Sequence, residues 1–302
     1  MNYFAKQMIL GSVSVLPLDK IRFDKLKNAR SILMSATALE EKYDLLTSNY
    51  LEFEQELLTK ITEQLIFQQD SYSDFYDLRS ILNRRVVNLL TSTKLYYDQI
   101  EKHVRTCLDN EVNLGKEAKK FFSEEYDANV EYRFMEALRN YTQHNGLAIH
   151  SLSLPSRWQG EHEGRELINK IQLFSTKEDL MNDGKFKKSV LNEIPEKIEL
   201  IKSIRVYVGS FSNVHLKIRK LIDSSVTQAR MEVEKLIYEY KGVNSGNNIG
   251  LYAYSVGSDN PSDPIIEKFS IMLNWDDVRV KLQHKNRSLV NLRKWCVTSS
   301  CL

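Results

Sequence analysis

ATALEEKYDLLTSNYLEFEQEL, residues 36–57, decides the fold class, because its apolar residues recur at alternating spacings of three and four. These positions are Leu39, Tyr43, Leu46, Tyr50, Phe53 and Leu57. The spacing is typical of a long helix packed lengthwise against another helix. Compatible spacings recur from Leu82 to Val104, after a break at 71–74. Because the connection is short, we predict that the two segments form an antiparallel hairpin.

Further helices are expected on both sides of a Pro- and Gly-containing loop at 151–164. A third helix should run from about Lys116 to His144 and end at Asn145-Gly146, where glycine can take the left-handed conformation that closes a helix. After Pro195, a long helix is indicated by positions that repeat every seven residues, namely Ile201, Val208, His215, Ile222, Ala229 and Leu236. These positions form the apolar seam of the helix, so we expect His215 to be a core or interface histidine.

Two short strands and a last helical region complete the predicted fold. Residues 166–174 and Leu251–Val256 have strand-like patterns, and a helical region follows to about Trp295. The sequence therefore predicts a mainly α protein, an elongated antiparallel helical bundle with a small strand-containing insertion in its C-terminal half. Its length of 302 residues suggests two domains, one over 1–150 and one over 165–302.

The composition is typical of a globular protein and argues against disulfide-rich, metal-binding and membrane-spanning proteins. Hydrophobic residues make up 42% and charged residues 27%, as in ordinary globular proteins. The formal net charge of +2 demands no polyanionic partner. Cys107, Cys296 and Cys301 are odd in number and lack metal-site spacing, so we expect neither disulfides nor bound metal, and no cofactor is predicted. The apolar stretch Met8–Leu18 has no signal-peptide cleavage site, and no run is long enough to span a membrane. A soluble, cytoplasmic protein is expected.

One segment, Arg139-Asn140-Tyr141-Thr142-Gln143-His144, carries residue types that suit metal-independent RNA cleavage. That reaction needs a group near neutral pKa to take the 2′-hydroxyl proton, which suits histidine, and a cation to hold the phosphate, which suits the planar fork of arginine. Arg139 and His144 lie about 140° apart around an ideal helix, so they converge on one phosphate only if the turn near His144 tightens or unwinds. Glu136 could hold the Arg139 guanidinium, and Asn140 could orient a phosphate or a partner subunit.

Two other pairs, Arg157 with His162 and Arg279 with His284, repeat the five-residue separation. Only the Arg139 pair combines a helix end, a following Asn and a preceding acidic residue. The structural alternative is that Arg139 and His144 are surface residues at a helix C-terminus, where the helix dipole favours cations.

The segment from Glu136 to His144 resembles the signature of the HEPN superfamily (higher eukaryotes and prokaryotes nucleotide-binding). That signature is an Arg, often followed by a polar residue such as Asn, and then a His after four to six intervening residues. The resemblance implies an all-helical bundle, a homodimer that joins two motifs across a cleft, and metal-independent RNA cleavage that leaves a cyclic phosphate end. It covers roughly residues 36 to 150, and nothing in 165–302 matches the family.

The resemblance also implies residue roles and partners. His144 would act as general base or orient the 2′-hydroxyl, Arg139 would stabilise phosphate charge, and Asn140 would assist, with Glu136 and Tyr141 in support. Many such proteins are toxins or anti-phage defence effectors, which implies a protein inhibitor or activating partner. The alternative function is a non-catalytic helical interaction or scaffold protein, whose long seams bury partner helices.

A basic stripe near the C-terminus is a further candidate for RNA contact. No acidic residue follows Asp277, while basic residues accumulate there, among them Arg279, Lys281, Lys285 and Arg287. Such a stripe could bind RNA phosphates. The alternative is an ordinary solvated helix face.

Overall fold

The computed structural model describes residues 1–9, 13–109, 112–161, 164–182, 184–244 and 246–295. His162, Cys296 and Cys301 lie outside them. The helices are α1 (Lys20–Phe67), α2 (Tyr72–Cys107), α3 (Val112–Ala128), α4 (Val130–His144), α5 (Lys177–Asn182), α6 (Lys188–Glu193), α7 (Leu200–Val243) and α8 (Asn274–Lys285). The strands are β1 (Asn2–Gln7), β2 (Val15–Leu18), β3 (Ser151–Ser153), β4 (Ser156–Gln159), β5 (Glu166–Asn169), β6 (Gln172–Thr176), β7 (Lys197–Glu199), β8 (Leu251–Val256) and β9 (Ile265–Ser270). The mainly α class is confirmed.

Two compact units make up the chain, and each draws on several segments. Unit 1 comprises Met1–Glu41, Ile100–Glu117 and Ile218–Lys285. Unit 2 comprises Lys42–Gln99, Ala118–Lys217 and Asn286–Leu302. Both units contain chain from before 150 and after 165, and the division into 1–150 and 165–302 stays a prediction.

In unit 2, α1 and α2 form the antiparallel pair that their spacing predicts. The Tyr43 and Tyr96 rings lie 6.2 Å apart between centroids. Arg85 pairs with Glu52 at 2.5 Å and with Glu56 at 3.0 Å. Because residue numbers rise along α1 while those of the contacting residues fall along α2, the two helices run in opposite directions.

The predicted third helix is in fact two helices, because Asn129 interrupts it. Asn129 has extended backbone angles, φ −126° and ψ 118°. Its side-chain amide donates to the Glu125 carboxylate at 3.1 Å. A short polar side chain that bonds locally competes with the helical backbone, which explains a break that apolar spacing could not show.

Five of the six predicted seam positions of α7 are buried, Val208 and His215 in unit 2 and Ile222, Ala229 and Leu236 in unit 1. Ile201, the first position, is only partly buried. His215 is a core histidine, and its Nδ1 lies 2.7 Å from the Tyr96 hydroxyl. The helix begins at Leu200 rather than near Pro195, because Lys197–Glu199 pairs with β6 as strand β7.

Gly209 in α7 has a packing reason. A Cβ built there would lie 3.2 Å from the carbonyl oxygen of Leu289, so the segment after Asn286 packs closely on this part of the helix. The backbone N–H of Leu289 also donates to the Ser212 hydroxyl at 2.9 Å.

The sheets are small and antiparallel. In unit 1 the strand order is β2-β1-β8-β9, and Asn2 pairs with Val256. Strand β8 confirms the prediction at Leu251–Val256, whereas β1 and β2 were not predicted. In unit 2, β3-β6-β7 and β4-β5 form two further sheets, so the single strand expected over 166–174 is two strands in different sheets.

The final helix ends at Lys285 rather than near Trp295, and a short 3-10 turn follows at Leu292–Lys294. Within the described ranges, no helix has the length and apolar character needed to cross a membrane.

Candidate functional site

Unit 2 contains a cavity of about 670 Å³, here called the α4 cavity, which the predicted motif helps to line. One wall is formed by residues at the end of α3 and along α4, and another by the segment between α5 and α6. The lining residues are Tyr126, Arg133, Glu136, Ala137, Asn140, Tyr141, His144, Asn145, Lys185, Phe186 and Lys187. Its volume is within the range of small-molecule sites.

One face of α4 supplies Glu136, Asn140 and His144 to this cavity. The three residues follow one another at intervals of four, so they lie above one another on consecutive turns. The side chains of Asn140 and His144 are exposed, whereas Glu136 is only partly so. Asn140, predicted as a catalytic residue, and Glu136, predicted to support the site, therefore lie on the same face as His144.

Arg139 does not line the cavity. It is buried, with 6% of its surface exposed. Its Nη1 donates to the Glu136 carboxylate at 3.0 Å, and its Nη2 donates to the Asn140 side-chain oxygen at 3.3 Å. Its Nε is buried with no hydrogen-bond partner among the described residues. The structure thus brings His144 and Asn140 together and places Arg139 behind them.

Glu136 joins the cavity to the interior of unit 2. Its carboxylate accepts hydrogen bonds from Arg139 and from the buried hydroxyl of Tyr207. Burial, together with the negative charge of Glu136, raises the pKa of Tyr207 well above its ordinary value. The hydroxyl therefore keeps its proton and donates a hydrogen bond to Glu136, which fixes the carboxylate on α4.

The end of α4 differs from the expectation in one respect. The helix stays α-helical through His144, and the N–H groups of Asn145 and Gly146 both donate to the carbonyl of Tyr141, at 2.8 and 3.2 Å. Gly146 is not left-handed, so that prediction is wrong. Glycine is needed at position 146 because the Tyr141 side chain packs closely against its backbone. An added Cβ would lie 2.5 Å from the Tyr141 hydroxyl oxygen.

Tyr141 forms the buried back wall of the cavity. Its ring meets the rings of His150 and Phe186, each at 6.0 Å between centroids. His150 Nδ1 accepts a hydrogen bond from the Thr176 N–H at 3.0 Å. Burial lowers the pKa of His150, although the nearby Asp179 carboxylate acts in the opposite direction.

Lysines across the cavity from α4 were not among the residues predicted from the sequence. Lys185 and Lys187 are exposed, and Phe186 between them is buried against Phe134 and Tyr141. The run Gly184-Lys185-Phe186-Lys187-Lys188 was a usable signal, because basic residues interleaved with an aromatic residue are typical of phosphate-contacting segments. Nothing in the sequence indicated that this run faces α4.

Comparison with known proteins adds no assignment, since the chain matches no protein-family model, no curated protein and no solved structure.

Unit 1 contains a second, smaller cavity of about 270 Å³, here called the arginine cavity because Arg219, Arg230 and Arg279 line it. Arg219 pairs with Glu40 at 2.6 Å. Arg230 and Arg279 both donate to the fully buried Asp276, each with a shortest distance of 2.6 Å. Every one of these guanidinium groups therefore has a carboxylate partner.

The basic stripe predicted near the C-terminus is divided by the fold. Arg279 is buried on Asp276, whereas Lys281, Lys285 and Arg287 are exposed. Lys281 and Lys285 belong to unit 1, and Arg287 belongs to unit 2. Arg279 is thus engaged by protein carboxylate, and RNA contact by the other three stays a prediction.

Cys107 is a buried thiol in the interior of unit 1. Its buried thiol lies 3.6 Å from the carbonyl oxygen of Ile32, and burial raises its pKa to about 12. A thiol that keeps its proton is a poor nucleophile and metal ligand. In the part of the chain that the structure describes, no three His, Cys, Asp or Glu side chains are grouped to hold a metal ion.

Proposed function

We propose that this chain is a HEPN-like endoribonuclease that cleaves RNA without a metal ion, with the α4 cavity as its active site. The observation that carries the proposal is that α4 presents Asn140 and His144 on consecutive turns to one cavity, which Lys185 and Lys187 also line. A general base, an amide and two cations around one space are the groups that transfer of a phosphate ester to a neighbouring hydroxyl needs.

The reaction assigned to His144 is an internal displacement at phosphorus. The imidazole takes the proton of the ribose 2′-hydroxyl, and the 2′ oxygen forms a bond to the adjacent phosphorus. The bond from phosphorus to the 5′ oxygen breaks, and that oxygen takes a proton from water. The products are a 2′,3′-cyclic phosphate and a 5′-hydroxyl, so the substrate must be RNA rather than DNA.

Asn140 and Arg139 have different parts in this proposal. Asn140 lines the cavity, and its amide orients the ribose or the phosphate. Arg139 is buried against Glu136 and Asn140, so it holds these two side chains in place.

A second candidate, a helical interaction protein without catalysis, is favoured by one feature of α1. Leu51, Leu58 and Leu65 are exposed at 54%, 45% and 58%, and they recur every seven residues in unit 2. An exposed apolar stripe at this spacing suits a partner helix. The same stripe is available for the homodimer that belongs to the ribonuclease proposal. Because free RNA cleavage would harm the cell, that proposal includes a toxin or anti-phage role with a protein inhibitor or activating partner.

The test is incubation of the purified chain with mixed structured RNAs in the presence of a chelator. His144→Ala is the test variant. His284→Ala is the matched control, because Arg279 and His284 repeat the same separation and His284 is exposed near the end of α8. We expect the parent and the His284→Ala form to cleave. The His144→Ala form should be slower by about 10²- to 10⁴-fold, the usual contribution of a general base.

The result that would overturn the proposal is equal cleavage by the His144→Ala form and the parent, or no cleavage by the parent. Loss of activity in the His284→Ala form would also contradict the assignment of the α4 cavity. Helicity and oligomeric state, measured on all three proteins, should be the same.

A further inference from the structure

Three cationic side chains line the α4 cavity in addition to His144, namely Arg133, Lys185 and Lys187, and Arg139 lies behind the lining. Carboxylates neutralise the two arginines. Arg139 is paired with Glu136, and Arg133 is paired with Glu193 at 2.7 Å. Among the described residues, no carboxylate pairs with Lys185 or Lys187. The cavity therefore carries uncompensated positive charge where Lys185 and Lys187 line it.

Arg133 is also occupied by backbone groups. Its Nη1 donates to the carbonyls of Tyr126 and Asp127 at the end of α3, at 2.7 and 3.0 Å. A guanidinium that closes one helix and pairs with a carboxylate has little capacity left for a ligand. This leaves the two lysines as the cations of the cavity that can bind an anion.

The lysine segment is held in place by its own residues. Phe186 is buried and packs against Phe134 and Tyr141. The ammonium of Lys187 donates to the Tyr126 hydroxyl and lies 4.9 Å from the centre of that ring. Gly184 precedes the segment with φ +64°, a conformation that favours glycine and turns the chain after α5. Lys185 and Lys187 are thus presented from a fixed backbone.

We infer that Lys185 and Lys187 form the subsite that holds a phosphate of the RNA strand, and that Arg139 is a positioning residue which acts through Asn140. The inference deepens the proposed function and rests on it for the identity of the ligand. Two ammonium groups that no carboxylate of the described residues neutralises attract a phosphate diester, and a buried guanidinium with two protein partners does not. A phosphate on the lysine side also leaves the Asn140 and His144 side of the cavity for the ribose.

The experiment is equilibrium binding of a short oligonucleotide in which every ribose is 2′-O-methylated, so that it cannot be cleaved through its 2′ oxygen. Binding is measured on the full chain over about 50 to 200 mM salt. The test variant is Lys185→Gln/Lys187→Gln. The control is Lys188→Gln, an exposed neighbour outside the cavity lining. A charge-retaining variant, Lys185→Arg/Lys187→Arg, checks that weaker binding follows from the missing charge.

The expected result is that the double Gln variant binds on the order of tenfold more weakly, as removal of charged hydrogen bonds predicts. Its slope of log affinity against log salt should become shallower by about 0.7 for each phosphate that the variant no longer neutralises. Lys188→Gln and the double Arg variant should bind like the parent. Unchanged affinity and slope in the double Gln variant would overturn the lysine subsite, even if RNA cleavage still depended on His144.

The two proposals fail in distinguishable ways. Lysine-dependent binding without any cleavage of unmodified RNA by the parent would keep the phosphate subsite and overturn the ribonuclease. Cleavage that depends on His144, together with binding that does not change when the lysines are replaced, would keep the ribonuclease and overturn the phosphate subsite. The absence of both lysine-dependent binding and RNA cleavage would overturn both proposals.

Arg139 has its own test, because a positioning residue and a phosphate ligand change different quantities. In Arg139→Met we expect kcat for RNA cleavage to fall, while the affinity for the methylated oligonucleotide and its salt slope stay as in the parent. A shallower slope in this variant would mean that Arg139 itself binds phosphate and would overturn its positioning role. Arg139→Lys keeps the charge but not the planar fork, so it should lower kcat too.

Discussion

The α4 cavity and the arginine cavity are both rich in cations, yet they are built in opposite ways. In the arginine cavity, Arg219, Arg230 and Arg279 all bond to protein carboxylates. In the α4 cavity, Lys185 and Lys187 have no carboxylate partner among the described residues, and they line a larger space together with Asn140 and His144. The comparison predicts that anion binding depends on unpaired charge rather than on the number of basic residues. We therefore expect the arginine cavity to contribute to stability and the α4 cavity to bind an anion.

The largest expected effect is the removal of the carboxylate in the arginine cavity. Asp276 is fully buried and accepts hydrogen bonds from Arg230 and Arg279. In Asp276→Ala both guanidinium groups lose that partner, so we expect the free energy of unfolding to fall by about 3–5 kcal/mol, as for other buried pairs that are broken. Asp277→Ala is the control, because Asp277 is 60% exposed and its removal should cost less than about 1 kcal/mol. Urea unfolding measures both.

The same variant sharpens the comparison between the cavities. If pairing is what keeps anions out of the arginine cavity, inorganic phosphate should stabilise Asp276→Ala more than it stabilises the parent, because bound ligand adds to folded-state stability. In this variant Arg230 keeps Glu234 and Asp277 as partners, so the cation released from its carboxylate is Arg279. An equal effect of phosphate on the two proteins would show that releasing Arg279 does not make an anion site.

A smaller loss of stability is expected at the end of α4. In Gly146→Ala the new methyl group would overlap the Tyr141 hydroxyl, which forces the ring away from His150 and Phe186. Such overpacking costs about 1–3 kcal/mol. The shift should also lower RNA cleavage, because Tyr141 lines the cavity beside His144. Gly242→Ala is a suitable control, because a Cβ there meets nothing within 4 Å. Full stability in the Gly146 variant would contradict the close approach.

His150, whose ring contacts Tyr141, should make the stability of unit 2 depend on pH. Burial lowers the pKa of His150, so the unfolded chain binds a proton there more readily than the folded chain. The contribution of His150 to stability is therefore fully present above the ordinary histidine pKa, about 6.5, and declines as the pH falls below it. His150→Gln keeps an acceptor for the Thr176 N–H but cannot titrate. Unfolding measured from about pH 8 to 5 should show a weaker acid dependence in this variant. The same dependence in both proteins would exclude His150 as a source.

The helices were predictable from sequence because their burial follows a short period. Leu39, Tyr43 and Leu46 in α1, and Val208 in α7, are buried as their spacing predicts. Strand β1 was not predictable, because it pairs with β8 from the far end of the chain. The break at Asn129 is confined to one residue with extended backbone angles, so it leaves no periodic signal.

The candidate site was predictable in part, for a related reason. Asn140 and His144 lie on one face of α4 because they are four residues apart. Arg139 and His144, about 140° apart, could converge only through a tightened or unwound turn, and α4 stays α-helical through His144. That Lys185 and Lys187 face this helix follows from the packing of Phe186 against Phe134 and Tyr141. Such tertiary contacts have no local pattern in the sequence.

The measurement that tests the ribonuclease proposal most directly uses a DNA strand that contains a single ribose, incubated with the parent and the His144→Ala form in the presence of a chelator. The parent should cut only after that ribose and leave a 2′,3′-cyclic phosphate, and the His144→Ala form should leave the strand intact, because the reaction needs one 2′-hydroxyl and the base that takes its proton. An intact strand with the parent, cuts elsewhere in the DNA, or equal cutting by the His144→Ala form would contradict the assignment of the α4 cavity as a ribonuclease site.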